Sequence, residues 1–185
     1  MQFDKSGEWL QAAEVIPSDN CDLRPEGVEP DLIVVHGISL PPNQFGGDGV
    51  KQLFTNQLDP AEDPYYQQIA GLRVSAHFFI RRDGQVIQFV PPSKRAWHAG
   101  VSEYCGKQRC NDFSIGIELE GADHILYTAS QYQSLAELIR SLWQLYPKMP
   151  KEAIVGHSDI APGRKTDPGD SFVWATLHRL LAEPS

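Results

Sequence analysis

Three short runs rich in β-branched and other apolar residues constrain this chain most: Leu32-Ile33-Val34-Val35, the segment SIGIEL at 114–119, and AIVG at 153–156. Each reads as a buried strand, because such side chains suit a pleated surface covered by other elements. Two of them deliver a histidine at the end, His36 and His157, and the third carries Glu118 with Glu120 just beyond it. VSAHFFIR at 74–81 and QVIQFV at 85–90 read as two further strands around a turn at Asp83-Gly84. Thr128 and Gln131 have the spacing of a capping box, and Tyr132, Leu135, Leu138, Ile139, Leu142 and Leu145 then recur at helical spacing until Pro147. Shorter helices are expected near 63–70 and at roughly 171–182, the latter with Phe172, Trp174, Leu177 and Leu181 as core candidates. Strands that alternate with helices, plus one hairpin, predict an α/β fold: a single domain over residues 1–185 with a mixed central β-sheet flanked by helices.

Between these elements lie three segments rich in loop signals. ISLPPNQFGGDG follows His36, residues 91–112 contain Trp97-His98-Ala99-Gly100, and SDIAPGRKTDPGD follows His157. All three are expected to be loops, and loops of that length are often functional.

Composition narrows the function. A chain of 185 residues with 41% hydrophobic residues can bury a core without disulfides. Its three cysteines, Cys21, Cys105 and Cys110, are odd in number and form no CxxC pair, which suits a reducing compartment. The formal net charge of −8 argues against nucleic acid as a partner, since phosphate binding needs a basic face. It leaves room for a small anionic ligand held by a few local Arg and Lys residues. The segment MQFDKSGEWLQAAEVIPS lacks the apolar stretch of a signal peptide, and no run approaches the roughly 20 apolar residues of a membrane helix. A cytoplasmic protein with no membrane partner is expected, with no preference among oligomeric states.

His36, His157 and Asp167 form the constellation with most chemical content. Imidazole nitrogen and carboxylate oxygen are both zinc donors, and three protein ligands leave a fourth position open, as catalytic sites do. The same residues also have plainer readings: hydrogen-bonded structural histidines, and an aspartate that serves as a turn or capping residue in TDPGD. Glu118 and Glu120 share one face of their strand by the period of two. Glu118 reads as a buried acid near a pocket, and Glu120 as a solvated acid at the strand end. Lys165 and Arg164 are either cations for an oxyanion or ordinary loop charges. No P-loop or dinucleotide fingerprint occurs, so no organic cofactor is expected.

The segments LIVVHGISLPPNQFGG, VSAHFFIRRDGQVIQFVPPSKRAWHAGVS, RCNDFSIGIELEG and VGHSDIAPGRKTDPG, in this order, resemble those of the cytoplasmic anhydro-N-acetylmuramyl-L-alanine amidases. These AmpD-type enzymes share a wider fold with phage lysozyme-like amidases and peptidoglycan recognition proteins. The resemblance runs from about Trp9 to Trp174 and implies zinc-dependent hydrolysis of the amide between anhydro-N-acetylmuramic acid and L-alanine in small muropeptides, for peptidoglycan recycling. It places His36, His157 and Asp167 at the Zn2+ site, Glu118 and Lys165 at the catalytic positions, and Arg73, Trp97 and Arg109 in the substrate cleft. It further implies a structural or supporting role for His77, a pocket wall for His98, and surface positions for His124 and His178. The chain departs from that pattern at Gly37, where these amidases usually carry Asn, and at Gly163, where they usually carry Glu.

Overall fold

The computed structural model describes residues 1–183. In chain order its elements are β1 (Glu14–Val15), β2 (Cys21–Leu23), β3 (Leu32–Ile38), α1 (Gly49–Phe54), α2 (Pro64–Gln68), β4 (Phe78–Ile80), β5 (Val86–Gln88), β6 (Lys94–Ala96), β7 (Glu103–Tyr104), β8 (Lys107–Gln108), β9 (Ser114–Glu120), α3 (Ala129–Leu145), β10 (Ile154–Gly156), α4 (His157–Ile160) and α5 (Trp174–Ala182). Six strands form the central mixed sheet in the order β1-β5-β4-β9-β3-β10. The β4–β5 pair is the expected antiparallel hairpin, and β4, β9, β3 and β10 run parallel.

Side chains alternate across a strand, so each core run feeds two layers. Ile33 and Val35 of β3, with Ile115, Ile117 and Leu119 of β9, pack against Leu135, Leu138, Ile139 and Leu142 of α3 and Leu177 of α5. The opposite face receives Leu32 and Val34, packed with Cys110, Ala153 and Ile160, while Phe79, Ile87 and Phe89 meet Val50, Leu53 and Phe54 of α1. By the same alternation His36, Glu118 and Glu120 project away from α3. The parallel register sets His36 of β3 directly beside Glu118 of β9.

The expected capping box opens α3: Thr128 Oγ1 accepts from Gln131 N, and Gln131 Oε1 accepts from Thr128 N. Two segments read as loops contain regular structure. Residues 91–112 hold β6, the β7–β8 ribbon and a 3-10 turn at Cys110–Asp112, and α4 begins at His157 itself. β6 pairs with β2, where Arg95 grips Asp22 with two nitrogens, a tertiary pairing that no local pattern signals. α1, with only six residues, follows a Pro- and Gly-rich stretch that masks it. The last helix starts at Trp174 rather than near 171, and Phe172 is buried just ahead of it. The cysteines are unpaired: Cys110 is buried, Cys21 half-buried and Cys105 exposed. Among the described residues no helix is long and apolar enough to cross a membrane.

Candidate active site and metal centre

β3 ends in His36, β10 runs into His157, and the loop after α4 returns to the same place with Asp167. The three meet at close range. His36 Nδ1 lies 3.0 Å from His157 Nδ1 and 3.2 Å from Asp167 Oδ2, and His157 Nδ1 lies 3.1 Å from the same oxygen. Both histidines are buried.

Hydrogen bonding decides what this triangle is. His157 Nε2 contacts the carbonyl oxygen of Ala99 at 3.2 Å. A carbonyl only accepts, so Nε2 carries the proton and Nδ1 of the neutral ring presents a lone pair. That lone pair faces an aspartate oxygen and a second imidazole nitrogen, an arrangement of electron donors that calls for a cation. Two nitrogens and one carboxylate oxygen within 4.8 Å of one another are a donor set that zinc accepts. Burial lowers the pKa of His36 to about 4, so at neutral pH it is uncharged, the state a ligand needs.

Glu118 stands next to this cluster. It is only 8% exposed, its Oε1 lies 3.9 Å from His36 Nδ1, and its Oε2 has no hydrogen-bond partner. Burial, with Asp167 close by, pushes its pKa well above the ordinary carboxylate value, against a smaller opposing pull from Lys165. An unpaired buried carboxylate is costly to a fold and is typical of a group poised to handle a proton.

Glu118, His157 and Asp167 open onto a cavity of about 330 Å³, which is also lined by Lys165, Leu40, Tyr65 and Trp97. Four of the five expected metal and catalytic residues thus line it with Trp97, while the buried His36 does not line it but contacts His157 and Asp167. Arg73 is exposed between Leu72 and Val74, which line the cavity, but does not line it. Arg109 is exposed, pairs with Asp112 at 3.3 Å, and lines a separate groove with Val101 and Arg164.

Glu120 corrects an expectation. It is buried rather than solvated, and its carboxylate accepts from Gly46 N at 2.5 Å and from Arg82 N at 3.0 Å. It ties the loop after β3 to the β4–β5 turn. His77 is fully buried: Nδ1 accepts from Gly116 N and Nε2 donates to Lys94 O, which is structural work. His98 does line the cavity but is also joined to His36, Nε2 to Nδ1 at 2.9 Å. His124 and His178 are exposed. At Gly37 a Cβ would overlap Tyr127 Oη, which donates to Pro168 O beside Asp167, so the bare backbone leaves that tyrosine its place. Gly163 has φ +75, a conformation that favours glycine.

The profile of the N-acetylmuramoyl-L-alanine amidase family matches residues 26–170, a span that holds the donor triangle, Glu118 and every residue that lines the cavity. The chain belongs to that family. An Escherichia coli K12 relative, 1,6-anhydro-N-acetylmuramyl-L-alanine amidase AmpD, is 55% identical over 95% of each chain. The crystal structure of a selenomethionine AmpD derivative superposes with a TM-score of 0.94 at 54% identity, covering 98% of this amidase and 99% of that chain. AmpDH3 of Pseudomonas aeruginosa, solved in complex with an anhydromuramic pentapeptide, matches with a TM-score of 0.61 at 30% identity, over 84% of this amidase and 61% of that chain. This amidase is therefore an AmpD-type hydrolase that cuts an amide bond.

Proposed function

We propose that the enzyme hydrolyses the amide between the lactyl carbonyl of 1,6-anhydro-N-acetylmuramic acid and the amine of L-alanine in small muropeptides, with one zinc ion held by His36, His157 and Asp167. The observation that carries this reading is the triangle of donor atoms beside an unpaired, buried Glu118 in one cavity. The high identity to the E. coli AmpD relative, and the peptide bound by AmpDH3, support the choice of substrate.

An amide is a weak electrophile and water a weak nucleophile at neutral pH. Zinc at this centre would supply Lewis-acid polarisation of the carbonyl and lower the pKa of the attacking water. Glu118 takes the proton from that water, and its dry surroundings make it a stronger base than a solvated carboxylate. It then returns the proton to the alanine nitrogen as the C–N bond breaks. Lys165, on the cavity wall, offers its ammonium to the negative charge that grows on the carbonyl oxygen. Trp97 and the apolar wall receive the non-reacting part of the ligand. Arg73, next to the cavity, and Arg109, in the separate groove, hold stem-peptide carboxylates through charge-assisted bonds. The products are the free sugar acid and the peptide, as a recycling step in the cytoplasm requires.

The test is a comparison of kcat/KM, with products identified by mass spectrometry, for anhydro-muramyl tripeptide, the same compound with a reducing sugar, and purified sacculi. Fast release from the soluble anhydro compound supports the reading. Equal or faster release from sacculi overturns it in favour of a wall-degrading amidase.

A further inference from the structure

Both histidines of the centre turn Nδ1 inward, and neither choice is free. His157 is fixed by the carbonyl of Ala99. His36 has no such carbonyl; its Nε2 meets another imidazole, which could in principle give or take a proton. The contacts beyond that imidazole remove the ambiguity. His98 Nε2 lies 3.2 Å from Ser114 Oγ, and Ser114 Oγ lies 2.6 Å from the carbonyl oxygen of Cys110. The carbonyl can only accept, so the serine hydroxyl donates to it. The serine oxygen then accepts from His98 Nε2–H, His98 Nδ1 keeps its lone pair, and His36 Nε2 must be the donor. The proton order along the whole chain runs outward from the metal site and ends on main chain.

We propose that His98, locked by Ser114, is a positioning residue that selects the Nε2–H tautomer of His36 and so leaves Nδ1 free for the metal; this rests on the metal-centre reading above. Two further features belong to the same device. Asn111 Oδ1 accepts from both His98 N and Ala99 N, at 3.1 and 2.8 Å, so one amide oxygen anchors the segment that supplies the acceptors for both metal histidines. The His98 ring lies against Gly116 of β9, where any Cβ would come within 2.6 Å of its Nδ1. Because both nitrogens of His98 are engaged, it is not itself a metal ligand. Outer partners of this kind typically set metal affinity by about 10–100-fold.

The test has two readouts. In metal-free protein labelled with 15N, two-bond imidazole spectra report each tautomer, and His36 is expected as Nε2–H. In competition against a chromophoric chelator, His98→Leu should weaken zinc binding by about 10–100-fold. His98→Asn, whose amide oxygen can stand near the Nδ1 position, should recover most of that loss. Ser114→Ala should weaken zinc binding less and give His36 a mixed tautomer signal. A parent His36 found as Nδ1–H overturns the proposal. So does a His98→Leu protein whose metal-free melting matches the parent and which holds zinc as tightly. If His98→Leu does not fold, Ser114→Ala decides, since it removes one hydroxyl: unchanged affinity with an unchanged His36 tautomer overturns the proposal. A parent that binds no zinc would sink the metal reading instead, while the tautomer spectrum stands on its own.

Discussion

Replacing Glu118 by Gln should damage the enzyme and strengthen the fold. The carboxylate is almost fully enclosed, and its Oε2 finds no donor. A buried group left unsatisfied costs about 1–3 kcal/mol, and more when it is charged. The amide is nearly the same shape and carries no charge to desolvate. The metal-free variant should therefore gain on the order of 1–3 kcal/mol at pH 8. For a chain of this length that is roughly 2–4 °C in Tm per kcal/mol. The pH dependence has a definite sign. The pKa of Glu118 is raised in the folded state, so its stabilising contribution is full below the unfolded value of about 4.3 and is lost as pH rises through the folded value. The advantage of Gln should therefore be absent near the unfolded value and complete above the raised one. Urea melts of both metal-free proteins across that range measure it directly. Activity moves the other way, because loss of a general base costs about 10²–10⁴-fold in kcat, equivalent to about 2.7–5.5 kcal/mol of barrier. A Gln variant that is less stable at pH 8, or whose gain ignores pH, would refute the claim that this carboxylate is held against its own solvation energy. Near-normal turnover would remove it from the chemistry.

Purified protein should bind zinc at one ion per chain, chelation should abolish activity and zinc restore it; His157→Ala should lose stoichiometric zinc in metal analysis. Lys165→Ala should keep the metal and lose roughly 10²–10³-fold in kcat, the usual cost of an oxyanion donor. Arg109→Ala should raise KM with a smaller effect on kcat in steady-state assays, since Arg109 lies outside the cavity that holds the reacting groups. Glu120→Ala should cost about 1–3 kcal/mol in denaturant melts, because it strands the Gly46 and Arg82 amides.

The sheet was legible because its central strands are coded by their own side chains. LIVV, SIGIEL and IVG need no partner to be read as buried. The position of His36 and His157 at the ends of two such runs followed from the same pattern. What escaped was decided by contacts between distant segments. Glu120 resembles a surface acid in sequence, and only the arrival of two backbone amides, from 74 and 38 residues away, explains its burial. The strand at Lys94–Ala96 has no apolar alternation and exists because Asp22 and Asp112 meet Arg95. Ser114 carried no sign of a link to His36. Its neighbour in that relay, His98, had the resemblance but not the geometry to mark it out. Gly37 stood out only as a departure from the resemblance, and the space a side chain would need there is filled by a tyrosine ninety residues on.

The pairing of His36 with Glu118 across β3 and β9 has a consequence for how such a site can change over generations. Two neighbouring parallel strands act as a ruler: the spacing between the proposed ligand and the proposed base is fixed by main-chain hydrogen bonds, not by either side chain's surroundings. A one-residue insertion in either strand would turn one group to the α3 side and disable both. The loop after β3 carries no such register constraint, so it can lengthen, shorten or exchange residues while the pair stays in step. Substrate preference is thus free to drift on a chassis whose chemistry cannot, and the two strands are the part of the chain least open to insertion.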